Sequence, residues 1–182
     1  KKWLNDYFNR YRDSLFEDIN STLVKIKNLW LETNKNGKKI IFAGNGGSAA
    51  MSSHCSVDLT KNAGLRSINF NEADLITCFS NDYGYERWLE KAIDFYADKG
   101  DFLVLISSSG NSENMIKAAK RAKNIGLGLL TLTGFSKDNK LKQEGDINLW
   151  VNSKAYNIIE MTHHIWLLSI VDLIIGSAEY EA

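Results

Sequence analysis

The sequence predicts an α/β fold with a central parallel sheet and helices on both faces, and three observations carry that expectation. Short, densely apolar runs, among them "KIIFAG", "DFLVLIS" and "LGLLTLTG", alternate with longer amphipathic stretches. Strands buried on both faces and joined by crossover helices read this way. Turns rich in glycine and serine, "GNGGS" and "SSSGNS", follow two of the apolar runs, at the strand ends where open α/β sheets bind ligands. A helical apolar repeat precedes the first strand, and a largely apolar helix closes the chain.

In order, Phe8, Tyr11, Leu15, Ile19, Leu23, Ile26 and Trp30 recur at spacings of three and four, which predicts one amphipathic helix from Trp3 to Asn34. "NKNGKK" ends it with turn chemistry, and "KIIFAG" is the first strand. "SAAMSSHCSVDLTKNAG" is expected to be a helix that starts on a serine cap and stops near Gly64. "RSINF" reads as a short strand, and residues 72–98 as mostly helical with an interruption around Asn81–Gly84. "DFLVLISSSG" is a buried strand, and "NSENMIKAAKRAKNIG" is a helix stopped by Gly126. "LGLLTLTG" and "INLWVN" are further strands, separated by the helical turn "LKQEG", and Ala155 to Glu181 form the last helix. No linker or repeat divides the chain, so residues 1–182 are expected to form one domain.

The bulk properties narrow the function. Lysine plus arginine and aspartate plus glutamate number 22 each, a net charge of zero, which argues against a general nucleic-acid binder. The last apolar segment contains Glu160, His163, His164 and Asp172, so no membrane span is expected. "KKWLNDYFNRYRDSLFEDIN" has no apolar signal core, and Cys55 and Cys78 are read as buried thiols, so a cytoplasmic location is expected.

The two turns carry the chemistry. "GNGGSAA" is neither a dinucleotide fingerprint nor a P-loop. It leads from a strand into a helix N-terminus, which suits an anion, or it is only a tight turn with a serine cap. "ISSSGNSENM" crowds Ser107, Ser108, Ser109 and Ser112 around Gly110. A cap and an ST-turn account for one or two of these serines, whereas a phosphate has acceptor oxygens for all four. Neither turn matches the G-x-S-x-G of a nucleophilic serine.

These turns, with "SHCSVDL", "FSNDYGYE", "LTLTG" and "IIEMTHH" in the same order, resemble the sugar isomerase (SIS) family. Within it they resemble the phosphoheptose isomerases, which convert sedoheptulose 7-phosphate to D-glycero-D-manno-heptose 7-phosphate for lipopolysaccharide or capsule. The resemblance implies a flavodoxin-like three-layer fold and a homotetramer with shared active sites; the crowded Trp3, Tyr7, Phe8 and Tyr11, with the wide apolar face of the last helix, put residues 1–36 at the expected interface. It implies that Ser107, Ser108, Ser109 and Ser112 hold the phosphate of a phosphorylated sugar. Asn45, Gly46, Gly47 and Ser48 would line the sugar, and Asn81 and Asp82 would bind its hydroxyls. A non-catalytic phosphosugar-binding or protein-interaction module is the alternative.

Isomerisation through an enediol needs a base between adjacent carbons and an acid or metal at the carbonyl. The family's H-x-x-x-E matches His54 and Asp58, implying Asp58 as base and His54 with Asp58 as ligands of a zinc ion. Spacing i to i+4 puts the two on one helix face, where a plain structural contact is the other reading. Aspartate shortens the expected glutamate by one methylene, about 1.5 Å. The family's glutamine and histidine on the last helix are Ile159 and Leu167 here. His164, four residues after Glu160 and able to pair with it, is therefore the catalytic histidine candidate. A buried histidine is the alternative reading for His163 and His164.

Overall fold

Alternating burial along the strands builds two cores from one sheet. Ile40, Phe42, Phe102, Val104, Ile106, Leu130 and Leu132 face one side, and Ile41, Ala43, Leu103, Leu105 and Leu129 face the other. The computed structural model describes residues 1–16 and 18–180. The elements are α1 (Lys2–Leu15), α2 (Asn20–Lys35), β1 (Ile40–Gly44), α3 (Gly47–Lys61), β2 (Ser67–Asn69), α4 (Ala73–Tyr83) and α5 (Trp88–Tyr96). They continue with β3 (Phe102–Ser107), α6 (Glu113–Ile125), β4 (Gly128–Thr133), α7 (Lys140–Glu144), β5 (Ile147–Trp150) and α8 (Tyr156–Ile175). Helices α2, α3 and α8 cover one core, and α5, α6 and α7 the other.

The sheet is wholly parallel with the order β2-β1-β3-β4-β5, which is the flavodoxin-like winding expected. Its direction reverses between β1 and β3, and a ligand crevice opens at such a switch point. Gly44 pairs in register with Ile106, so the turns that follow these strands emerge side by side. That register brings "NGGS" and "SSSGNS" together.

Four expected boundaries are corrected. The N-terminal repeat is two helices, because the chain leaves the helix at Phe16 and re-enters it at Asn20. The apolar period runs through the corner; α2 buries Ile26 and Trp30 while α1 lies on α8 with only Ser14 buried. Helix α3 begins at Gly47 with Gly46, at φ 57°, in the N-cap position and no side-chain cap, so Ser48 sits within the first turn. The break before α5 comes at Gly84, with φ 87°, so Asn81 and Asp82 stay inside α4. Helix α8 stops at Gly176, left-handed at φ 88°, not at Glu181, which lies outside the described residues. Helix α8 is long and apolar enough to cross a membrane by composition, but its buried face, including Ile159, Trp166, Leu167 and Ile170, belongs to the core.

Candidate active site

A cavity of about 130 Å³ opens where the two turns meet, lined by Asn45, Ser48, Ser107, Ser108, Ser109, Ser112, Tyr156 and Glu160 together with Ile106. A larger cavity of about 520 Å³ lies between α1 and the β5–α8 loop, but it contains neither turn. All four serines of the second turn face the smaller cavity. Ser109 Oγ accepts from the Asn111 amide at 3.2 Å, the expected ST-turn. Ser112 stands at the N-cap of α6 yet makes no side-chain capping bond, and Ser108 Oγ is buried with no partner. A buried hydroxyl without a partner is costly, and a phosphate oxygen arriving at this turn would satisfy it. Gly110 closes the turn with φ 63°; a Cβ there would stand 2.0 Å from Asn139 Oδ1.

The first turn is braced rather than open. The Asn45 and Asn114 amides bond reciprocally, at 3.1 and 2.9 Å, and Tyr85 donates its hydroxyl to Asn45 Oδ1 at 3.2 Å. This strut ties the end of β1 to the start of α6 across the switch point. Gly47 has a packing reason: a Cβ there would lie 2.6 Å from Glu160 Oε2. The carboxylate of α8 thus rests on the first turn of α3.

Further along the same seam, His54 Nε2 is 3.2 Å from Asp58 Oδ2, and His54 Nδ1 is 3.0 Å from His164 Nε2. With one mobile proton per ring, Nε2–H of His54 donates to the carboxylate while Nδ1 accepts from His164. The three groups form a continuous proton path. Burial lowers the pKa of His164, the nearby His54 lowers it further, and Asp58 opposes them. The partner of His164 is His54 and not Glu160 as the i,i+4 spacing suggested. His163 is wholly buried, donates Nε2–H to the Thr133 carbonyl at 3.0 Å, and burial pushes its pKa down to about 4. It is a core histidine, outside the cavity.

Both ring nitrogens of His54 are engaged, and among the described residues no group of three or more His, Cys, Asp or Glu side chains converges as a metal site. Asn81 and Asp82 are exposed on α4, bonded to each other at 2.9 Å, and do not line the cavity. Cys78, read as buried, is exposed beside Asp82, whereas Cys55 is buried and its thiol is pushed up to about 12 by burial. Asn114, Tyr85 and Tyr156 were missed, because nothing local distinguishes an amide or phenol that closes a strut or a wall.

A parallel sheet wound 2-1-3-4-5, with a serine cradle and a glycine turn at its switch point, defines a phosphosugar-handling α/β domain. The chain belongs to the SIS domain family, whose model matches residues 4–134. Within that family it is similar to phosphoheptose isomerases. The one from Aliarcobacter butzleri strain RM4018 is 37% identical over 166 residues, 88% of this chain and 87% of the relative. That from Helicobacter pylori strain P12 is 34% identical over 164 residues, 87% and 85% of the two chains. The solved phosphoheptose isomerase of Neisseria gonorrhoeae superposes with a TM-score of 0.87 at 28% identity, covering 95% of this chain and 97% of its own. The family and fold expected from the motifs are borne out.

Proposed function

We propose that this chain is a phosphosugar aldose–ketose isomerase that converts sedoheptulose 7-phosphate to D-glycero-D-manno-heptose 7-phosphate through an enediol, supplying heptose for lipopolysaccharide or capsule. The observation that carries this reading is the serine turn, with Ser108 Oγ buried and unsatisfied, beside a glycine turn at the switch point. The names of the relatives support the substrate, and the non-catalytic alternative is not favoured. The serines bind the phosphate, and Tyr156 and the braced first turn wall the sugar. His54 and His164, farther along the seam between α3 and α8, carry protons, with Asp58 orienting His54.

A homotetramer with shared sites belongs to the same proposal. Trp3 and Phe8 on α1, Val57 on α3, and Met161 and Ile165 on α8 are exposed, and apolar faces of this kind suit subunit contacts. Asn81 and Asp82 would then serve a neighbouring subunit's sugar. A cytoplasmic location, with Cys55 and Cys78 as thiols, completes the reading.

The test is purified protein with sedoheptulose 7-phosphate in deuterated water, with and without EDTA. Deuterium enters at C1 or C2 and the aldose forms in both samples. Phosphosugar binding without exchange or product would overturn the proposal.

A further inference from the structure

We infer that the larger cavity, between α1 and the β5–α8 loop, is a second binding site for a phosphorylated sugar, linked to the cavity of the serine turn through Gly134 and Phe135. The site itself does not depend on the isomerase reading; its effect on turnover does.

The lining of this cavity sorts by depth. Ser14 and Ile158 are buried and Phe135 is half-buried, while Arg10, Asn152 and Lys154 are exposed at the rim. At about 520 Å³ the space is of the size that small ligands fill. The Phe135 ring and Ile158 offer an apolar surface to the C–H face of a sugar, and the Ser14 hydroxyl and Asn152 amide offer partners to its hydroxyls. Neither Arg10 nor Lys154 takes part in an ion pair among the described residues. Two such cations suit a phosphate, the guanidinium through a bidentate bond and the ammonium as a point charge. The Asp13 carboxylate on the same wall is paired with Arg12 at 3.3 Å, which leaves the rim cationic. Helix α8 starts beside that rim without a side-chain cap, and its positive end adds to the attraction for an anion.

A short piece of backbone joins this cavity to the smaller one. Tyr156 lines the smaller cavity and packs its ring on Phe135, with centroids 4.9 Å apart. The Gly134 amide donates to the Ser108 carbonyl at 2.9 Å, and the Phe135 amide donates to the Ser153 carbonyl at 2.9 Å. Two consecutive amides therefore tie the serine turn to the wall of the larger cavity. Phe135 is held at φ 52°, the one non-glycine residue with positive φ among the described residues. A bulky side chain rarely accepts that conformation, which persists where the surroundings over-determine it. Those surroundings are the two amide bonds and the ring contact. A sugar seated on the Phe135 ring presses on Tyr156 and on the serine turn, and so narrows a cavity of about 130 Å³. The cations of the larger cavity are exposed, and water and salt screen them more than the buried serines. The second site therefore fills at higher concentration than the first and slows it.

The experiment is calorimetry with sedoheptulose 7-phosphate on the whole protein, together with the rate of aldose formation across a wide range of the same sugar. Wild type should bind two sugars per chain, one more weakly, and its rate should fall at high substrate. Arg10→Gln combined with Lys154→Gln removes both rim charges. It should weaken the second site about tenfold to 10²-fold, the loss expected for hydrogen bonds to charged groups, and leave the first site and kcat/KM unchanged. Its rate should rise to a plateau and stay there. A single site per chain in wild type, or two sites that the double variant leaves intact, would overturn the inference. Loss of the second site together with a changed particle mass would make the cavity a subunit contact and overturn it as well. A wild-type rate that plateaus like the variant's would overturn the link through Phe135. Two sites without turnover would overturn the isomerase reading and support the second site.

Discussion

Acidification should release α8 from the sheet through His163, and the size of the effect follows from its surroundings. The ring is fully buried; Nε2 is satisfied by the Thr133 carbonyl, while Nδ1 is buried with no acceptor. A second proton at Nδ1 would be an unpaired buried charge, which is why the native pKa falls to about 4 from an ordinary 6.5. The unfolded chain therefore binds more protons between these values. The stability contributed by neutral His163 is complete above pH 6.5 and is lost as pH falls toward 4. Between pH 7.5 and 4.5 this amounts to roughly 2–3 kcal/mol. His163→Gln keeps an amide donor near the Thr133 carbonyl and cannot titrate. Urea unfolding of both proteins at the two pH values, at one protein concentration, measures the difference. Wild type should lose roughly 2–3 kcal/mol more than the variant, and activity should fall with it, since α8 carries Glu160 and His164. Parallel losses in the two proteins would refute the reasoning.

Ser108→Ala removes a buried hydroxyl that has no partner in the unliganded chain. It should leave the melting temperature unchanged or raised, yet weaken phosphosugar binding by about 1.5–3 kcal/mol, the range for a hydrogen bond to a charged group, as read by calorimetry. Gly47→Ala places a methyl against the flexible end of Glu160 rather than against backbone, at a helical position where alanine is favourable. Its kcat should fall at least tenfold while its melting temperature holds; equal activity would mean that the contact between Gly47 and Glu160 has no catalytic weight.

Much of this was legible in the sequence because it is written in short-range chemistry. Apolar runs of strand length, the left-handed Gly126 stop and the crowding of Ser107 to Ser112 are each local patterns, and each took its expected form. The misreadings have a common cause. An unbroken 3.6-residue period cannot report the corner at Phe16. The i,i+4 spacing of Glu160 and His164 describes one face of α8 but not what packs on it, and a serine near a helix start need not be its cap. Cys78 was placed by its residue type, whereas exposure depends on which side of α4 meets the sheet.

The sequence by itself determined the layers, the parallel sheet and the turn that offers hydroxyls to a phosphate, because periodicity and turn chemistry act over a few residues. Tertiary structure alone decided which charged groups meet. The contact between His54 and His164 spans 110 residues, and the seat of Glu160 on Gly47 depends on how α8 crosses α3. Those distances are set by two helices packing on one sheet face, where ridges and burial choose the register, and no local pattern in either helix encodes it.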